Sequence, residues 1–472
     1  MTPDEFRKHA HELVEWMADY MENVESLPVK SLVRPGDIFN KIPDSPPLYP
    51  ESFDSFRRDF EEIIMPGITH WQNPNFFAYF PSNNSPASIL AEMLTATLGA
   101  QCMIWETSPA AAELEEKMMI WLRELIGLPS EFEGVIQDSA STATLSAVLT
   151  AREKATGFSV NSDGLKNSGI LRVYCSEQTH SSIEKAVKIS GIGRKNLVKI
   201  AVREDFSMDP QKLKEAILKD KNSGYIPCCV VATLGTTGPT SIDPLKEIGT
   251  ICNEFNIWLH VDAAMAGTAL ILPEFRWMLE GKEYIDSFVF NPHKWMFTNF
   301  DCSAYFVKDA STLIRTFEIL PEYLKTRTRG KVNDYRDWGV PLGRRFRALK
   351  LWSVIRTFGV DGLRDKVRSH IALAAELSDM ILKEDDFQIL APVTICVVCF
   401  RYVRAGLNEE QINEINEKLN HTLNDSGKLY LSHTVLNGHY TLRMVTAQTN
   451  VTREHVTKAW NLIKDTARSL KC

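Results

Sequence analysis

The stretch Ser287-Phe-Val-Phe-Asn-Pro-His-Lys-Trp295 reads as a short buried strand stopped by Asn291-Pro292, with Lys294 placed just past the stop. Proline has no N–H for the ladder, so the strand cannot continue and the lysine stands at its mouth. Upstream, Ile257-Trp-Leu-His-Val-Asp-Ala-Ala264 repeats the pattern and ends in a carboxylate, Asp262. Taken singly, a lysine after Pro-His is commonly a solvated loop charge, and an aspartate at a strand end is commonly a turn or cap residue. Their order is more informative, because it sets an amine and an anion at the ends of two strands. Pyridoxal 5'-phosphate (PLP) needs that pair: its aldehyde condenses with lysine, and its ring nitrogen keeps a proton beside an acid.

Working outward, apolar runs at 171–175, 197–202, 228–233, 258–261 and 287–290 alternate with helical stretches such as 210–219 and 244–255. Continuous apolar strands joined by helices mean an α/β domain, here 85–349, with a mainly parallel central sheet covered on both faces. Ligands of such sheets gather at the carboxyl ends of the strands, where Asp262 and Lys294 fall. The run Asp138-Ser-Ala-Ser-Thr-Ala-Thr144 opens a helix with small hydroxylated residues. It reads equally as an anion seat at a helix N-terminus and as a plain N-cap. Gly191-Ile-Gly193 is set aside as a dinucleotide loop, since Asn196 stands where the third glycine belongs.

Before this domain, residues 1–84 carry Phe6, Ala10, Leu13, Met17, Tyr20 and Met21 at helical spacing, then a stretch studded with Pro28, Pro35, Pro43, Pro46, Pro47 and Pro50. Such an arm has too little apolar material for its own core, so it is expected to be a helical dimerisation arm packed on a partner subunit. After it, 350–472 reads as a small α+β domain: helix 351–382, strands within 387–402, at 427–431 and at 440–445, and helices 409–423 and 453–470.

With 472 residues, 44% hydrophobic and 24% charged, the chain has material for more than one core. Its net charge of −7 argues against nucleic acid as a partner, since a duplex binder needs a cationic face. The basic cluster Lys325-Thr-Arg-Thr-Arg-Gly-Lys331 reads as a solvated loop. No apolar run reaches the roughly 18 residues of a membrane span, so no membrane partner is expected. The amino terminus lacks the apolar core of a secretory leader. Nine cysteines without framework spacing fit free thiols, and a cytoplasmic location is expected. Cys396-Val-Val-Cys399 and Cys228-Cys229 lie in β-branched runs and read as buried strand, not as metal or redox pairs.

Five segments together resemble the group II PLP-dependent amino-acid decarboxylases, on the aromatic-L-amino-acid decarboxylase branch with the DOPA, tyrosine and tryptophan enzymes. They are Asn291-Pro-His-Lys-Trp295, His260-Val-Asp-Ala-Ala-Met-Ala-Gly267, Gln178-Thr-His-Ser-Ser182, Thr233-Leu-Gly-Thr-Thr-Gly238 and Pro341-Leu-Gly-Arg-Arg-Phe-Arg347. The likeness runs in order from Asn73-Pro-Asn-Phe-Phe-Ala-Tyr-Phe-Pro81 to the carboxy-terminal domain. It implies the aspartate-aminotransferase type of PLP-dependent transferase fold (fold type I) and a homodimer with shared active sites.

Carried over residue by residue, the resemblance makes Lys294 the Schiff-base lysine and Asp262 the partner of the ring nitrogen. His180 would stack on the ring and act in catalysis, with Ala264 on the opposite face. Ser139, Ala140, Ser141 and His293 would hold the phosphate, with Asn291 nearby, and Thr237 and Asp243 would line the cofactor site. Tyr323, in the loop Pro321-Glu-Tyr-Leu-Lys-Thr-Arg-Thr-Arg-Gly-Lys331, matches the tyrosine of a mobile catalytic loop that returns a proton to the α-carbon.

For the substrate, the resemblance implies a pocket of Trp71, Tyr79, Phe80, Pro81 and Ser82, with Met103 and Trp105 from the facing subunit. Such an aromatic box suits a phenol or indole ring and offers no cation to a glutamate side chain. Gly343 stands where indole-preferring plant relatives carry glycine and phenol-preferring ones serine. Met265, Ser82 and Met103 replace a tyrosine, a threonine and a phenylalanine of the family. The implied reaction is decarboxylation of an aromatic L-amino acid to an arylalkylamine and carbon dioxide. Aldehyde synthases of this kind lose the loop tyrosine or the histidine, and this chain keeps Tyr323 and His180. A glutamate or cysteine-sulfinate decarboxylase would present an arginine in the pocket, and a non-catalytic PLP-binding protein would have no need of the full set.

Overall fold

The protein, here in a computed structural model, is described over residues 1–319 and 332–470. It divides into two compact units: Ser82–Ala372 with Ala391–Val397, and Met1–Pro81 with Leu373–Leu390 and Val398–Cys472. Residues 1–81 thus share a unit with the carboxy-terminal sheet, where the sequence reading drew boundaries at 84/85 and 349/350.

The larger unit holds a seven-stranded sheet: β1 (Glu133–Gln137), β2 (Leu171–Ser176), β3 (Leu197–Ile200), β4 (Ile226–Thr233), β5 (Trp258–Asp262), β6 (Ser287–Phe290) and β7 (Ser303–Val307). Their order is β1-β7-β6-β5-β4-β2-β3. Neighbours from β6 through β3 pair in parallel, and β7 alone runs against both β6 and β1. Residues 228–232 of β4 are all buried, as a strand covered on both faces requires. The crossover helices start where the chain supplies caps: Ser139 for Ala140–Ala155, His180 for Ser181–Ile189, Asp209 for Pro210–Asn222. Strands β1 and β7 escaped the sequence reading. Gly134 breaks the β-branched pattern of β1, and the structure shows why it is glycine: a Cβ there would come within 2.8 Å of the Phe306 ring on β7.

In the smaller unit β8 (Phe387–Ile389), β9 (Val397–Tyr402), β10 (Ser432–Leu436) and β11 (His439–Val445) form a sheet of order β10-β11-β9-β8. The strand expected at 427–431 is instead β10. Asn437 and Gly438 both take positive φ, 50° and 84°, and join β10 to β11 as a two-residue hairpin turn. That turn sets the register, so the strand is the five residues before it. Residues 427–431 are used differently: the Phe77 N–H donates to the Tyr430 carbonyl, and the Val445 N–H to that of Phe77. Helix Pro3–Asn23 has a Thr2 capping box and buries no residue of its own.

Eight described cysteines are buried free thiols, with Cys228 and Cys229 on β4 and Cys399 on β9. Among the described residues no helix is long and apolar enough to cross a membrane.

Candidate active site

Since β1 and β6 both run against β7, the strands β1, β2, β4, β5 and β6 deliver their carboxyl ends to one edge of the sheet. Register aligns Thr233 with Asp262 and Asp262 with Val289, while Gln137 meets Ser303 and Phe290 meets Ala304. The turns bearing Ser139, His180, Thr237, Ala264 and Lys294 therefore leave the sheet along that edge.

Asp262 closes β5 and is 5% exposed. Its Oδ1 accepts the Ala264 N–H at 3.0 Å, and the Ala264 carbonyl accepts the Asn291 N–H at 3.0 Å. The backbone of Ala264 thus ties the carboxylate to the lysine turn. Gly267 follows in close packing, where any Cβ would overlap that of Phe290. Lys294 lies in the one-turn helix Pro292–Trp295. Its N–H donates to the Asn291 carbonyl at 2.9 Å, and its carbonyl accepts from Asn83 Nδ2 at 2.7 Å. The turn is pinned to β7 as well: Asn291 Oδ1 accepts from Ser303 Oγ at 2.7 Å, and His293 Nδ1 accepts the Cys302 N–H at 2.9 Å. Burial, with the Lys294 charge, drives the His293 imidazole down to about 3, so that ring is neutral.

Burial also lowers the Lys294 ammonium, against the upward pull of the Asp262 charge, and so favours the free amine that an aldehyde requires. His180 feels both groups: burial lowers it, Asp262 raises it and Lys294 lowers it again. The three side chains therefore share one electrostatic site. His180 Nδ1 accepts the Ser182 N–H at 3.1 Å, which leaves the proton of the neutral ring on Nε2.

At the end of β1, Ser139 Oγ caps its helix by accepting the Thr142 N–H at 3.2 Å. Ala140 and Ser141 open the first turn, partly exposed and exposed, where backbone N–H groups and the helix dipole favour an anion. Thr237 is exposed on the loop after β4. Asp243 is fully buried, and its two oxygens accept the Met208 and Thr233 N–H groups, each at 2.7 Å, so its carboxylate braces the loop that carries Thr237.

The residues present fit PLP: an amine of lowered basicity, a carboxylate on the neighbouring strand, an imidazole that feels the charge of both, and a capped helix N-terminus on the same edge. Residue Tyr323 and its loop lie outside the described residues.

The pocket residues fall into two groups. In the smaller unit Trp71 and Tyr79 stack at 5.9 Å, and Pro81 is buried. The structure adds two residues that the sequence reading did not single out. Tyr430 meets Tyr79 edge-on at 5.9 Å with the hydroxyls 3.2 Å apart, and Arg443 holds its guanidinium 5.5 Å above the Phe80 ring. A box read as free of cations thus has a buried one beside it, bonded to Ser432 Oγ at 2.8 Å. No local signal marked either residue, since Tyr430 reaches the box through its bridge to Phe76 and Arg443 through its place on β11. In the larger unit, which Ser82 opens, Met103, Trp105 and Gly343 are drawn together. The Arg336 N–H donates to the Met103 carbonyl at 2.9 Å, the Trp105 N–H to Asp334 Oδ1 at 3.1 Å, and the Cys102 N–H to the Arg344 carbonyl at 3.0 Å. Met265 is buried.

Residues 35–403 match the pyridoxal-dependent decarboxylase conserved domain. The chain belongs to the pyridoxal-dependent decarboxylase family. It is 42% identical to tyrosine decarboxylase 4 of Petroselinum crispum, over 100% of this chain and 94% of that protein. It is 41% identical to a phenylacetaldehyde synthase of Petunia hybrida, over 99% and 95% of the two. In three dimensions it matches the crystal structure of Oryza sativa TDC with PLP and tryptamine, with a TM-score of 0.96 and 38% identity over 99% of this chain and 98% of that one. The cofactor of this decarboxylase is PLP, and its fold is that of the PLP-dependent transferases.

Proposed function

We propose that this enzyme decarboxylates aromatic L-amino acids to arylalkylamines and carbon dioxide, acting as a homodimer in the cytoplasm. The observation that carries the reading is the meeting of Lys294, Asp262 and His180 at one sheet edge, in a chain alike over its whole length to a tyrosine decarboxylase. Buried free thiols support a reducing compartment. The exposed face of helix Pro3–Asn23, with Phe6 and Met21 open, supports a partner subunit.

Bound at this edge, PLP supplies an aldehyde that links to amino groups and a ring that takes up the electron pair left at the α-carbon. Lys294 would provide the amine that holds the aldehyde until a substrate amine takes its place. Asp262 would keep the proton on the ring nitrogen, and its tie to Ala264 aims the carboxylate. His180, neutral and fixed at Nδ1 by the Ser182 N–H, would offer the ring an oriented plate whose Nε2–H can donate. Binding geometry would select the reaction, through how the site residues orient the substrate's α-carboxylate. Tyr323 returns a proton to the α-carbon.

The test is direct. The visible absorbance of the purified protein should vanish on borohydride reduction. Carbon dioxide should then be released from tryptophan, 5-hydroxytryptophan, tyrosine, DOPA or phenylalanine. Release from glutamate or cysteine sulfinate alone would overturn the substrate class. A second reading, aldehyde synthesis with oxygen as co-substrate, is favoured by the likeness to the phenylacetaldehyde synthase. Stoichiometric oxygen uptake with aldehyde in place of amine would decide for it.

A further inference from the structure

Under the site runs a set of buried polar side chains that the reaction above does not use. Strand alternation places Trp258, His260 and Asp262 on one face of β5. His260 is fully buried, with its Nδ1 2.9 Å from Ser287 Oγ on β6, and Ser287 Oγ also accepts from Trp258 Nε1 at 2.9 Å. On its other side His260 Nε2 lies 3.4 Å from Thr144 Oγ1, in the second turn of the helix that Ser139 caps. Tyr305 of β7 packs its ring against the imidazole at 6.3 Å. Burial drives His260 down to about 4, so the imidazole is neutral and its links are hydrogen bonds, not an ion pair.

We infer that His260 is a positioning residue, a strut between β5 and the helix 140–155 that sets the distance from Asp262 to the phosphate seat at 139–141. Asp262 lies two residues ahead of the strut on its strand, and the seat lies about one turn behind Thr144 on its helix. PLP is a rigid ligand with its ring nitrogen and its phosphate apart. Both ends are satisfied together only when the two protein seats are held at one spacing, and slack between them forfeits the advantage of the second contact. A histidine on β5 that serves only the core would leave that spacing unchanged.

This inference rests on the phosphate seat proposed above, and the experiment separates the two. Full-length protein stripped of cofactor is titrated with PLP and with pyridoxal, which lacks the phosphate, and binding is followed by visible absorbance. The wild type should bind PLP more tightly than pyridoxal; equal affinities would remove the seat itself. Thr144→Val keeps the shape of the side chain and deletes the helix end of the strut, and His260→Leu deletes both ends. Each should weaken PLP about five- to tenfold, the size of one hydrogen bond, and leave pyridoxal within about twofold. An equal loss for both ligands would make His260 merely structural and overturn the inference. So would a wild-type ratio in Thr144→Val, which remains informative if His260→Leu does not fold.

Discussion

Asp262→Asn isolates one charge. The amide oxygen of asparagine can still accept the Ala264 N–H that now reaches Asp262 Oδ1 at 3.0 Å, so the β5 turn and the PLP site should persist. What is lost is a negative charge in a place only 5% exposed. Opposite charges on the order of 4 Å apart, at an effective dielectric of about 20, attract by about 4 kcal/mol. That attraction holds the proton on the ring nitrogen, and losing it should slow decarboxylation about a thousandfold. A second readout follows from the same charge. Asp262 raises both His180 and Lys294 against burial, so removing it sends both lower, and an acid limb of the rate profile governed by His180 should move to lower pH. The assay is carbon dioxide release at saturating substrate, with PLP content from visible absorbance and fold from thermal unfolding. A variant loaded with PLP that stays within a few-fold of the wild-type rate refutes the electron-sink argument.

Lys294→Ala should abolish turnover and keep the elution volume of the wild type; any normal rate removes Lys294 from the chemistry. Tyr323→Phe should still consume substrate but shift the product from amine toward aldehyde, with oxygen uptake and peroxide release. Mass spectrometry beside an oxygen electrode reads this, and amine as sole product at near-normal rate excludes Tyr323 as the proton donor. Asp243 is pushed up to about 7 by burial, against two N–H bonds. Its folded value lies above its unfolded one, so its contribution is complete below about pH 4 and lost as pH rises through 7, by up to about 4 kcal/mol. The stability of wild type minus Asp243→Asn, from denaturant midpoints between pH 4 and 8, should follow that slope, and a flat difference rejects it.

The cofactor chemistry was legible in the sequence because it hangs on local patterns. An apolar run, a proline stop and a lysine make the β6 turn wherever they occur, and the run ending in Asp262 makes β5 in the same way. Parallel pairing then follows from strands that are apolar on both faces, and the edge that collects Asp262 and Lys294 follows from parallel pairing. Local patterning also gave the buried cysteines of β4 and β9. The register of the small sheet was beyond reach, because it is set by the positive φ of Asn437 and Gly438 and not by hydrophobic content. For that reason Arg443 came into view only with the fold, and Tyr430 only with the long-range pairing of residues 76–77 with Tyr430 and Val445. Strands β1 and β7 were hidden too, since Gly134 is explained by its contact with Phe306, a residue far off in the chain. Sequence alone determined which turns carry Lys294, Asp262 and His180, for these are set by short-range propensity. Tertiary structure decided how they are spaced and braced, through contacts such as His260 with Thr144 and Asp243 with Met208 that no local pattern encodes.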